Sequence, residues 1–337
     1  MASNSRPTLN ELRGSARVVS LPLRTKFRGL IEREVMLFEG PQGWAEWSPF
    51  VEYETAEAAV WLEAAIEFGC SAQATDLAEG SPKSIEVNAT LPAVAPAQVA
   101  EILSRFGHFS TLKIKVAEPG QSLEQDLARI DAALEFNPDA KIRIDANGAY
   151  SVAQAIELAA ALIERKIAVD YLEQPLATVA EMAELRKHLA PQGIKIAADE
   201  NVRKAADPLA VAKAQAADIL VLKAAPLGGI SRAIEIAEQA ALPVVVSSAM
   251  DSSVGLSMGA FLAAKLPNHG FAAGLGTASL LAADVAREPL KPLDGKIEVR
   301  RVEVDQAALD RHRAEDHRVD WWFERLEAAY LALENQD

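Results

Sequence analysis

The stretch KIRIDANGAYSVAQAIELAAALIERKIAVDYLEQP (141–175) contains the structural unit that decides the fold. A short β-like run, KIRIDA, is followed by the alanine-rich segment SVAQAIELAAALIERK and then by a second β-like run, AVDYLE. Strands that alternate with helices of this length are typical of parallel βα units. Within KIRIDA, the apolar Ile142 and Ile144 alternate with the polar Arg143 and Asp145. Because strand side chains alternate between faces, we expect the apolar face to lie under helices and the polar face to point away from them.

The same unit repeats along the chain from about residue 86. The candidate strands are IEVNATL, TLKIKV, KIRIDA, AVDYLE, IKIAAD, DILVLK, PVVVSS and HGFAAGL. A polar or small residue recurs near their C-terminal ends at intervals of 24 to 30 residues, at Asn88, Lys115, Asp145, Glu173, Asp199, Lys223, Ser247 and Gly274. Such a steady interval is typical of an eightfold barrel. The sequence therefore predicts an α/β fold with a barrel over residues 86–295 and with the polar strand faces inside it.

The two flanks of the predicted barrel have a different pattern. Residues 1–85 contain antiparallel-looking strands, VVSLPLRTKFRG and EREVMLFEGPQGWAEWSPF, and one amphipathic helix, TAEAAVWLEAAIEFG. This pattern indicates a small α+β domain that caps the barrel. Residues 296–337 contain a strand, IEVRRVEVD, and a charged helix. We expect this tail to return to the capping domain.

Composition excludes several classes of protein. The chain has 34 Lys and Arg against 48 Asp and Glu, which gives a net charge of −14 and argues against a nucleic-acid surface. The single cysteine, Cys70, precludes an intramolecular disulfide. No apolar run has the length of a signal peptide or of a membrane helix. We expect a cytoplasmic protein that acts on a small molecule, without a nucleic-acid or membrane partner, and the sequence does not indicate its oligomeric state.

Five ionic residues end five successive predicted strands. They are Lys115, Asp145, Glu173, Asp199 and Lys223. The C-terminal ends of barrel strands form the face where barrel enzymes carry their chemistry. Three carboxylates that meet there would repel one another unless a cation joined them, and oxygen ligands suit Mg²⁺ or Mn²⁺ rather than Zn²⁺. A lysine on each side of such a metal is suited to general acid–base chemistry, because partial desolvation lowers the pKa of an ammonium group.

Each of these residues also has a structural interpretation. A single Asp at a strand end is more often a helix cap, and a single lysine on a strand is more often solvated. Five such residues on successive strands favour a common functional site over five separate structural roles. Three neighbours are candidates for support. Lys113 is either a supporting cation or half of a structural ion pair. Glu200 has the wrong strand parity to be a metal ligand. Asn147 follows the strand that ends in Asp145. None of the five histidines falls on a strand end of this set.

Several motifs resemble the enolase superfamily, in particular its muconate-lactonizing-enzyme subgroup. These motifs are KIKV, DANGAY, YLEQP, AADEN and LVLKAAPLGG. The resemblance implies a modified TIM barrel of the (β/α)7β type, with an α+β capping domain formed by the N-terminal part and the C-terminal tail. It also implies that Lys115 and Lys223 are the acid–base pair. The implied metal ligands are Asp145, Glu173 and Asp199, which would hold Mg²⁺, with Mn²⁺ as the alternative.

Within that subgroup, LPLRTKFRG, GWAEWSPFVEY and the short chain are similar to actinobacterial-type o-succinylbenzoate synthases. This similarity implies a lyase of menaquinone biosynthesis that dehydrates 2-succinyl-6-hydroxy-2,4-cyclohexadiene-1-carboxylate through an enediolate. Lys115 would remove the proton alpha to the carboxylate and then protonate the departing hydroxyl. Lys223 would stay protonated and stabilise the enediolate.

Three segments are candidates for substrate contacts. The basic segment RTKFR (24–28), with Arg24 and Phe27, is expected to form a loop over the site. The segment SSAMDSSVG offers hydroxyl groups and a helix start suited to a carboxylate, and GLGT (274–277) offers a similar turn. The residues concerned in these two segments are Ser247, Ser248, Ser252, Ser253, Gly274 and Gly276.

Three other functions fit parts of the pattern. An N-acylamino acid racemase or dipeptide epimerase would keep the fold and the metal and would use both lysines as bases. A Schiff-base aldolase would need one lysine and no metal. A barrel that only binds ligands would need neither a reactive lysine nor a metal. The last two functions leave three inward carboxylates unexplained.

Overall fold

The N-terminal part of the chain forms an antiparallel sheet flanked by two helices. The computed structural model describes residues 6–27, 29–267 and 270–335. Strands β1 (Arg17–Phe27), β2 (Leu30–Gly40) and β3 (Gly43–Trp47) pair in that order. Helix α1 (Leu9–Ser15) precedes them and helix α2 (Thr55–Cys70) follows. Helix α1 begins with a capping box, in which Thr8 and Glu11 satisfy each other's backbone N–H groups.

The central part of the chain alternates strands and helices, as the sequence pattern predicts. Its elements, in chain order, are β4 (Ser84–Glu86), β5 (Ala89–Leu91), α3 (Val99–Ser104), β6 (Thr111–Lys115), α4 (Leu123–Phe136), β7 (Lys141–Asp145), α5 (Val152–Glu164), β8 (Val169–Glu173), α6 (Val179–Leu189), β9 (Ile196–Ala198), α7 (Glu200–Arg203), α8 (Ala210–Lys213), β10 (Ile219–Leu222), α9 (Ile230–Ala240), β11 (Val244–Val246) and α10 (Ser253–Lys265). Strands β5 to β11 form one parallel sheet in sequence order. Helices α5 and α6 begin where Ser151 and Thr178 accept a hydrogen bond from the backbone N–H three residues later.

The barrel closes through two residues rather than through a full eighth strand. The Ala273 N–H donates to Glu86 O (2.7 Å), and the Gly274 N–H donates to Val246 O (2.7 Å). Ala273 and Gly274 therefore bridge the two edges of the seven-stranded sheet. The segment HGFAAGL was expected to be a strand. Only these two residues pair within its described part, and His269 lies outside it. The fold is thus the predicted α/β modified barrel with an antiparallel capping domain.

Strand parity divides the core into two parts. Tyr171, Ala197, Ile219, Val221 and Val245 form a separate apolar cluster. Their parity is the inward one expected from the sequence, whereas the alternate residues pack in the main core. These side chains fill the barrel below the strand ends.

The C-terminal tail joins both parts of the molecule. Strand β12 (Lys296–Glu298) pairs antiparallel with β4, not with the sheet of β1 to β3 in the capping domain, to which the tail was expected to return. Helices α11 (Gln306–Arg311) and α12 (Asp316–Glu334) follow. Helix α12 packs on the capping domain, where the rings of Trp322 and Trp47 lie 5.3 Å apart and Trp322 Nε1 donates to Glu34 (2.9 Å). None of the described helices is both long and apolar enough to span a membrane.

The closure of the barrel gives a testable prediction. A Cβ atom on Gly276 would lie 2.5 Å from the backbone oxygen of Asn88, next to the closing bridge. We expect Gly276→Ala to lower the free energy of unfolding by about 1 to 3 kcal/mol, because backbone at the closure must shift. Denaturant unfolding measures this loss. Gly14→Ala is the control, since its Cβ would meet nothing within 4 Å, and an equal loss in both variants would contradict the explanation.

Candidate active site

Parallel register places the predicted ionic residues side by side. Lys115 pairs with Asp145 across β6 and β7, and Asp145 pairs with Glu173 across β7 and β8. Asp199 directly follows β9, and Lys223 directly follows β10. The three carboxylates are no more than 1% exposed. The C-terminal ends of five neighbouring strands therefore contribute to one buried charged cluster.

Each carboxylate of the cluster is paired with a different lysine. Lys115 Nζ donates to Asp145 Oδ2 (2.5 Å), and Lys223 Nζ donates to Asp199 Oδ2 (2.6 Å). Lys113 Nζ donates to both carboxylate oxygens of Glu173 (2.8 and 2.9 Å). Lys113 also lies 3.6 Å from Asp145. Lys113 therefore forms a buried ion pair within the charged cluster.

A hydrogen-bond network connects the two ends of the cluster. Asn147 Oδ1 accepts from Lys115 Nζ (2.7 Å), and Asn147 Nδ2 donates to Glu200 Oε1 (3.2 Å). Glu200 Oε1 also accepts from Arg203 Nη2 (2.7 Å), and Arg203 Nε donates to Asp199 Oδ1 (3.0 Å). Arg203 was not identified from the sequence. Its position four residues after Asp199 on a short helix is the signal that could have suggested it.

The electrostatics of the carboxylates are unequal. Burial, together with the charge of Asp145, raises the pKa of Glu173 to about 7. Burial also opposes ionisation of Asp145 and Asp199, but Lys115 and Lys223 outweigh it and hold both pKa values well below their usual range. Burial lowers the pKa of Lys223 even though Asp199 opposes the shift. Glu173 is therefore the carboxyl group whose negative charge is least compensated.

The chemistry of this donor set suits a hard divalent cation. Three carboxylates from adjacent strands offer only oxygen ligands, which Mg²⁺ and Mn²⁺ prefer. In the described part of the chain, no three His, Cys, Asp or Glu side chains form a group at metal-binding distances, and the carboxylates are paired with lysines instead. Burial and the neighbouring charges of Asp145 and Asp199 raise the pKa of Glu173.

A cavity of about 550 Å³ opens onto Lys115. The aromatic ring of Phe27 covers this side, with its centroid 5.6 Å from Lys115 Nζ. Arg24 Nε donates to Leu281 O (3.1 Å). The segment expected to be a loop differs in the structure, because residues 24–27 extend strand β1, with a register irregularity after Pro22, which lacks an N–H group. Arg28 lies outside the described residues. The cavity walls come from the capping domain and from the segments after β5, β6 and β7.

Comparison with known proteins assigns the family. Residues 95–303 match the family model described as Enolase C-terminal domain-like, and residues 18–69 match Enolase N-terminal domain-like. The chain belongs to the enolase superfamily. It is 50% identical to an o-succinylbenzoate synthase of Mycobacterium tuberculosis over 327 residues, 97% of each chain. It is 48% identical to that of Mycobacterium ulcerans over 331 residues, 97% of this chain and 96% of the relative.

Solved structures of the superfamily share the fold. Muconate lactonizing enzyme from Pseudomonas fluorescens, complexed with muconolactone, matches with a TM-score of 0.74 and 19% identity. The match covers 89% of this chain and 98% of that chain. A mandelate racemase/muconate lactonizing protein from Herpetosiphon aurantiacus matches with a TM-score of 0.70 and 23% identity, over 86% and 97% of the two chains. Enzymes of this superfamily use a divalent metal ion.

The serines and glycines proposed for substrate contact lie at the closure of the barrel. Ser248 Oγ donates to Gly274 O (2.8 Å), and Ser253 Oγ donates to Asp284 Oδ2 (2.7 Å). Ser247 is buried against Gly274, and the Cβ space of Gly276 is taken by Asn88. Among the described residues that line the cavity at Lys115, these four serines, including Ser252, and the two glycines do not occur. The structure thus brings Arg24 and Phe27 to the cavity, but not the other six candidates.

The start of helix α10 already holds a carboxylate. Glu46, from strand β3, accepts hydrogen bonds from the backbone N–H of Ser252 (3.0 Å) and of Gly255 (3.2 Å). Its other oxygen accepts from Ser48 Oγ (2.7 Å). The position that the sequence assigned to a substrate carboxylate is therefore taken by the capping domain. An acidic residue inside the apolar run GWAEW was the available signal, but the sequence does not show that it contacts a helix about 200 residues away.

The buried Glu46 gives a testable pH dependence. Burial and Asp251 raise its pKa from 4.5 to about 7. Between these values the folded state holds a proton that the unfolded state has lost, so stability falls as the pH rises. Glu46→Gln removes this titration. The free energy of unfolding of Glu46→Gln minus that of wild type should therefore increase by roughly 1 to 3 kcal/mol between pH 5 and pH 8.

Denaturant unfolding across this pH range measures the difference. Glu184→Gln is the matched control, because Glu184 is exposed on α6. A stability difference for Glu46→Gln that stays constant with pH would contradict the assignment.

Proposed function

We propose that this chain is an o-succinylbenzoate synthase of menaquinone biosynthesis. It dehydrates 2-succinyl-6-hydroxy-2,4-cyclohexadiene-1-carboxylate to o-succinylbenzoate. The observation that carries the proposal is a row of three buried carboxylates with Lys115 at one end and Lys223 at the other. The full-length likeness to the mycobacterial enzymes selects this reaction among those that such a row could support.

The carboxylate row is the proposed metal site. Asp145, Glu173 and Asp199 would hold Mg²⁺, with Mn²⁺ as the alternative. A divalent ion bound there would neutralise the negative charge that develops on the substrate carboxylate. Lys113 fixes the orientation of Glu173, because it donates to both oxygens of that side chain.

Lys115 is the proposed acid–base residue. As a neutral amine it removes the proton alpha to the carboxylate, and the electron pair of the C–H bond passes into the enediolate. The carbon–oxygen bond to the ring hydroxyl then breaks, and the Lys115 ammonium donates the same proton, so that water leaves. Lys223, which donates to Asp199, stays protonated and stabilises the enediolate from the other side.

The cavity beside Lys115 is the proposed substrate pocket. Its volume of about 550 Å³ is in the range of small-molecule sites. Arg24 and Lys26 bring positive charge to its lining, and Phe27 brings an apolar wall. A substrate with two carboxylates and an apolar ring matches this lining. Its succinyl carboxylate would lie toward Arg24 and Lys26, because Glu46 holds the start of helix α10.

The substrate is a small molecule, and we propose that the protein acts on it in the cytoplasm without a nucleic-acid partner. The net charge of −14 disfavours binding to a phosphate backbone. The single cysteine suits a reducing compartment.

A second candidate function is racemisation of an N-acylamino acid or epimerisation of a dipeptide. Burial lowers the pKa of Lys223, which favours its use as a second base. Measuring kcat/KM for dehydration and for racemisation of an N-succinylamino acid separates the two functions. A much larger value for racemisation would reverse the assignment.

The two lysines give the first test of the mechanism. We expect Lys115→Ala and Lys223→Ala each to lower kcat for dehydration by roughly 10²- to 10⁴-fold, because each removes a group that acts on the reacting atoms. Steady-state kinetics measures the loss, and circular dichroism checks the fold. Lys187→Ala, on the exposed face of α6, is the control and should leave kcat unchanged. Near-normal turnover of either site variant would remove the role given to that lysine.

The metal site has its own test. Glu173→Gln keeps the shape of the side chain and removes one anionic ligand, so we expect Mg²⁺ affinity to fall by about 10-fold or more, because the number of charged ligands sets the affinity of such sites. Isothermal titration calorimetry measures the Mg²⁺ affinity, with Glu184→Gln as the matched control. Dehydration should also stop in EDTA and return with added Mg²⁺. Activity that is insensitive to EDTA, with trapping of a carbonyl substrate by borohydride, would point to Schiff-base chemistry instead.

A further inference from the structure

A buried ion pair lies behind the catalytic strand β6, outside the carboxylate row. Asp126 and Arg129, both on helix α4, are each 1% exposed. Arg129 Nη1 donates to Asp126 Oδ1 (2.7 Å). Burying a charged pair is costly unless its remaining hydrogen bonds are satisfied. The other contacts of this pair therefore indicate what it is for.

Arg129 joins two segments that line the cavity. Its Nη1 also donates to the backbone oxygen of Lys115 (3.0 Å), and its Nε donates to the backbone oxygen of Val94 (2.7 Å). Its Nη2 donates to Gln121 Oε1, and Gln121 Nε2 donates to Ala93 O (3.1 Å). One guanidinium group thus connects the end of β6 to the segment after β5.

Asp126 fixes the backbone just after Lys115. Its Oδ2 accepts from the Ala117 N–H (3.0 Å) and from the Tyr150 hydroxyl (2.9 Å). Ala117 has a φ of 58°, in the left-handed region that non-glycine residues rarely adopt. Such a conformation persists where surrounding contacts hold it. Tyr150 follows the segment of Asn147, whose side chain accepts from Lys115 Nζ.

We propose that the Asp126–Arg129 pair is a positioning device for Lys115. The pair holds the carbonyl of Lys115 and the N–H of Ala117, two residues apart, and so sets the direction in which the Lys115 side chain enters the cavity. It also fixes the cavity wall formed by Val94 and Gln121 relative to that amine. Neither residue touches the substrate, and the inference rests on the proposed role of Lys115 as the acid–base residue.

An arginine at position 129 makes hydrogen bonds that a lysine there could not make. Three nitrogen atoms of the guanidinium donate to four different residues. Lysine would keep the positive charge beside Asp126, but its single nitrogen cannot reproduce this fork. Arg129→Lys therefore separates positioning from charge compensation. Tyr150→Phe removes only the hydroxyl bond to Asp126 and carries little risk of unfolding.

The test compares these variants with Arg186→Lys. Arg186 pairs with Asp218 (2.8 Å), which also accepts from the N–H at the start of β9, so this pair lies at the opposite end of the strands. We expect Arg129→Lys to lower kcat by about 10- to 100-fold with a much smaller change in KM, because a misplaced catalytic group costs turnover. Tyr150→Phe should change kcat in the same direction to a smaller extent, and Arg186→Lys should leave it unchanged.

Further measurements exclude a merely structural role. With substrate deuterated at the alpha carbon, the isotope effect on kcat should rise in Arg129→Lys, because proton removal becomes more rate-limiting. Mg²⁺ affinity should stay near wild type, and circular dichroism should show that the variant is still folded at the assay temperature. Hydrogen exchange of residues 115–121 should become faster in Arg129→Lys and Tyr150→Phe, but not in Arg186→Lys.

Each contrary result overturns the inference. Unchanged kcat in Arg129→Lys would do so, as would a fall in kcat matched by an equal loss of metal affinity or of folded protein. Wild-type protein that does not dehydrate the substrate would refute the proposed function instead. Hydrogen exchange at residues 115–121 would then still decide on the positioning role, and unchanged exchange in both variants would exclude it.

Discussion

Repulsion between three buried carboxylates is the constraint on which the rest of the site depends. The parallel register sets Asp145 beside Glu173, and the next strand brings Asp199 to the same end of the barrel. A fold that gathers these charges away from water must place cations within hydrogen-bond distance. Lys113, Lys115 and Lys223 meet this need. Side chains proposed for catalysis therefore also hold the charged cluster together.

Among the three carboxylates, the middle one, Glu173, has the least positive charge beside it. Asp145 has two lysines within 4 Å, and Asp199 has Lys223 and Arg203. Within the described part of the chain Glu173 has only Lys113 as a cationic partner, and burial raises its pKa to about 7. An additional positive charge would therefore be most favourable beside Glu173. This distribution of charge favours a metal between the three carboxylates rather than at either end.

The sequence predicts those parts of the fold and site that follow from local patterns. Alternation within KIRIDA and DILVLK is a local property, so the inward positions of Asp145, Ile219 and Val221 could be predicted. The sequence could not predict that only Ala273 and Gly274 pair in the described part of the expected eighth strand. The length of this bridge depends on the gap that the other seven strands leave. The same holds for β12, whose partner β4 lies about 200 residues earlier.

Long-range contacts explain what the sequence did not show at the site. The sequence marked the helix start at Ser252 as a place for a substrate carboxylate, but the side chain of Glu46, 206 residues away, occupies it. The segment of Arg24 to Phe27 was expected to be a loop, yet it belongs to strand β1, and Phe27 pairs with Leu30 of β2. In both cases a local propensity was outweighed by tertiary contacts.

The capping domain contacts the charged cluster as well as shaping the cavity. Tyr53, which follows its last strand, accepts a hydrogen bond from Arg203 Nη1 (2.9 Å), and Arg203 shares Asp199 with Lys223. Phe27 lies over Lys115 on the opposite side. Lys115 thus lies against this domain directly, and Lys223 is linked to it through Asp199 and Arg203. The packing of the capping domain and the positions of the two lysines proposed for catalysis are therefore physically linked.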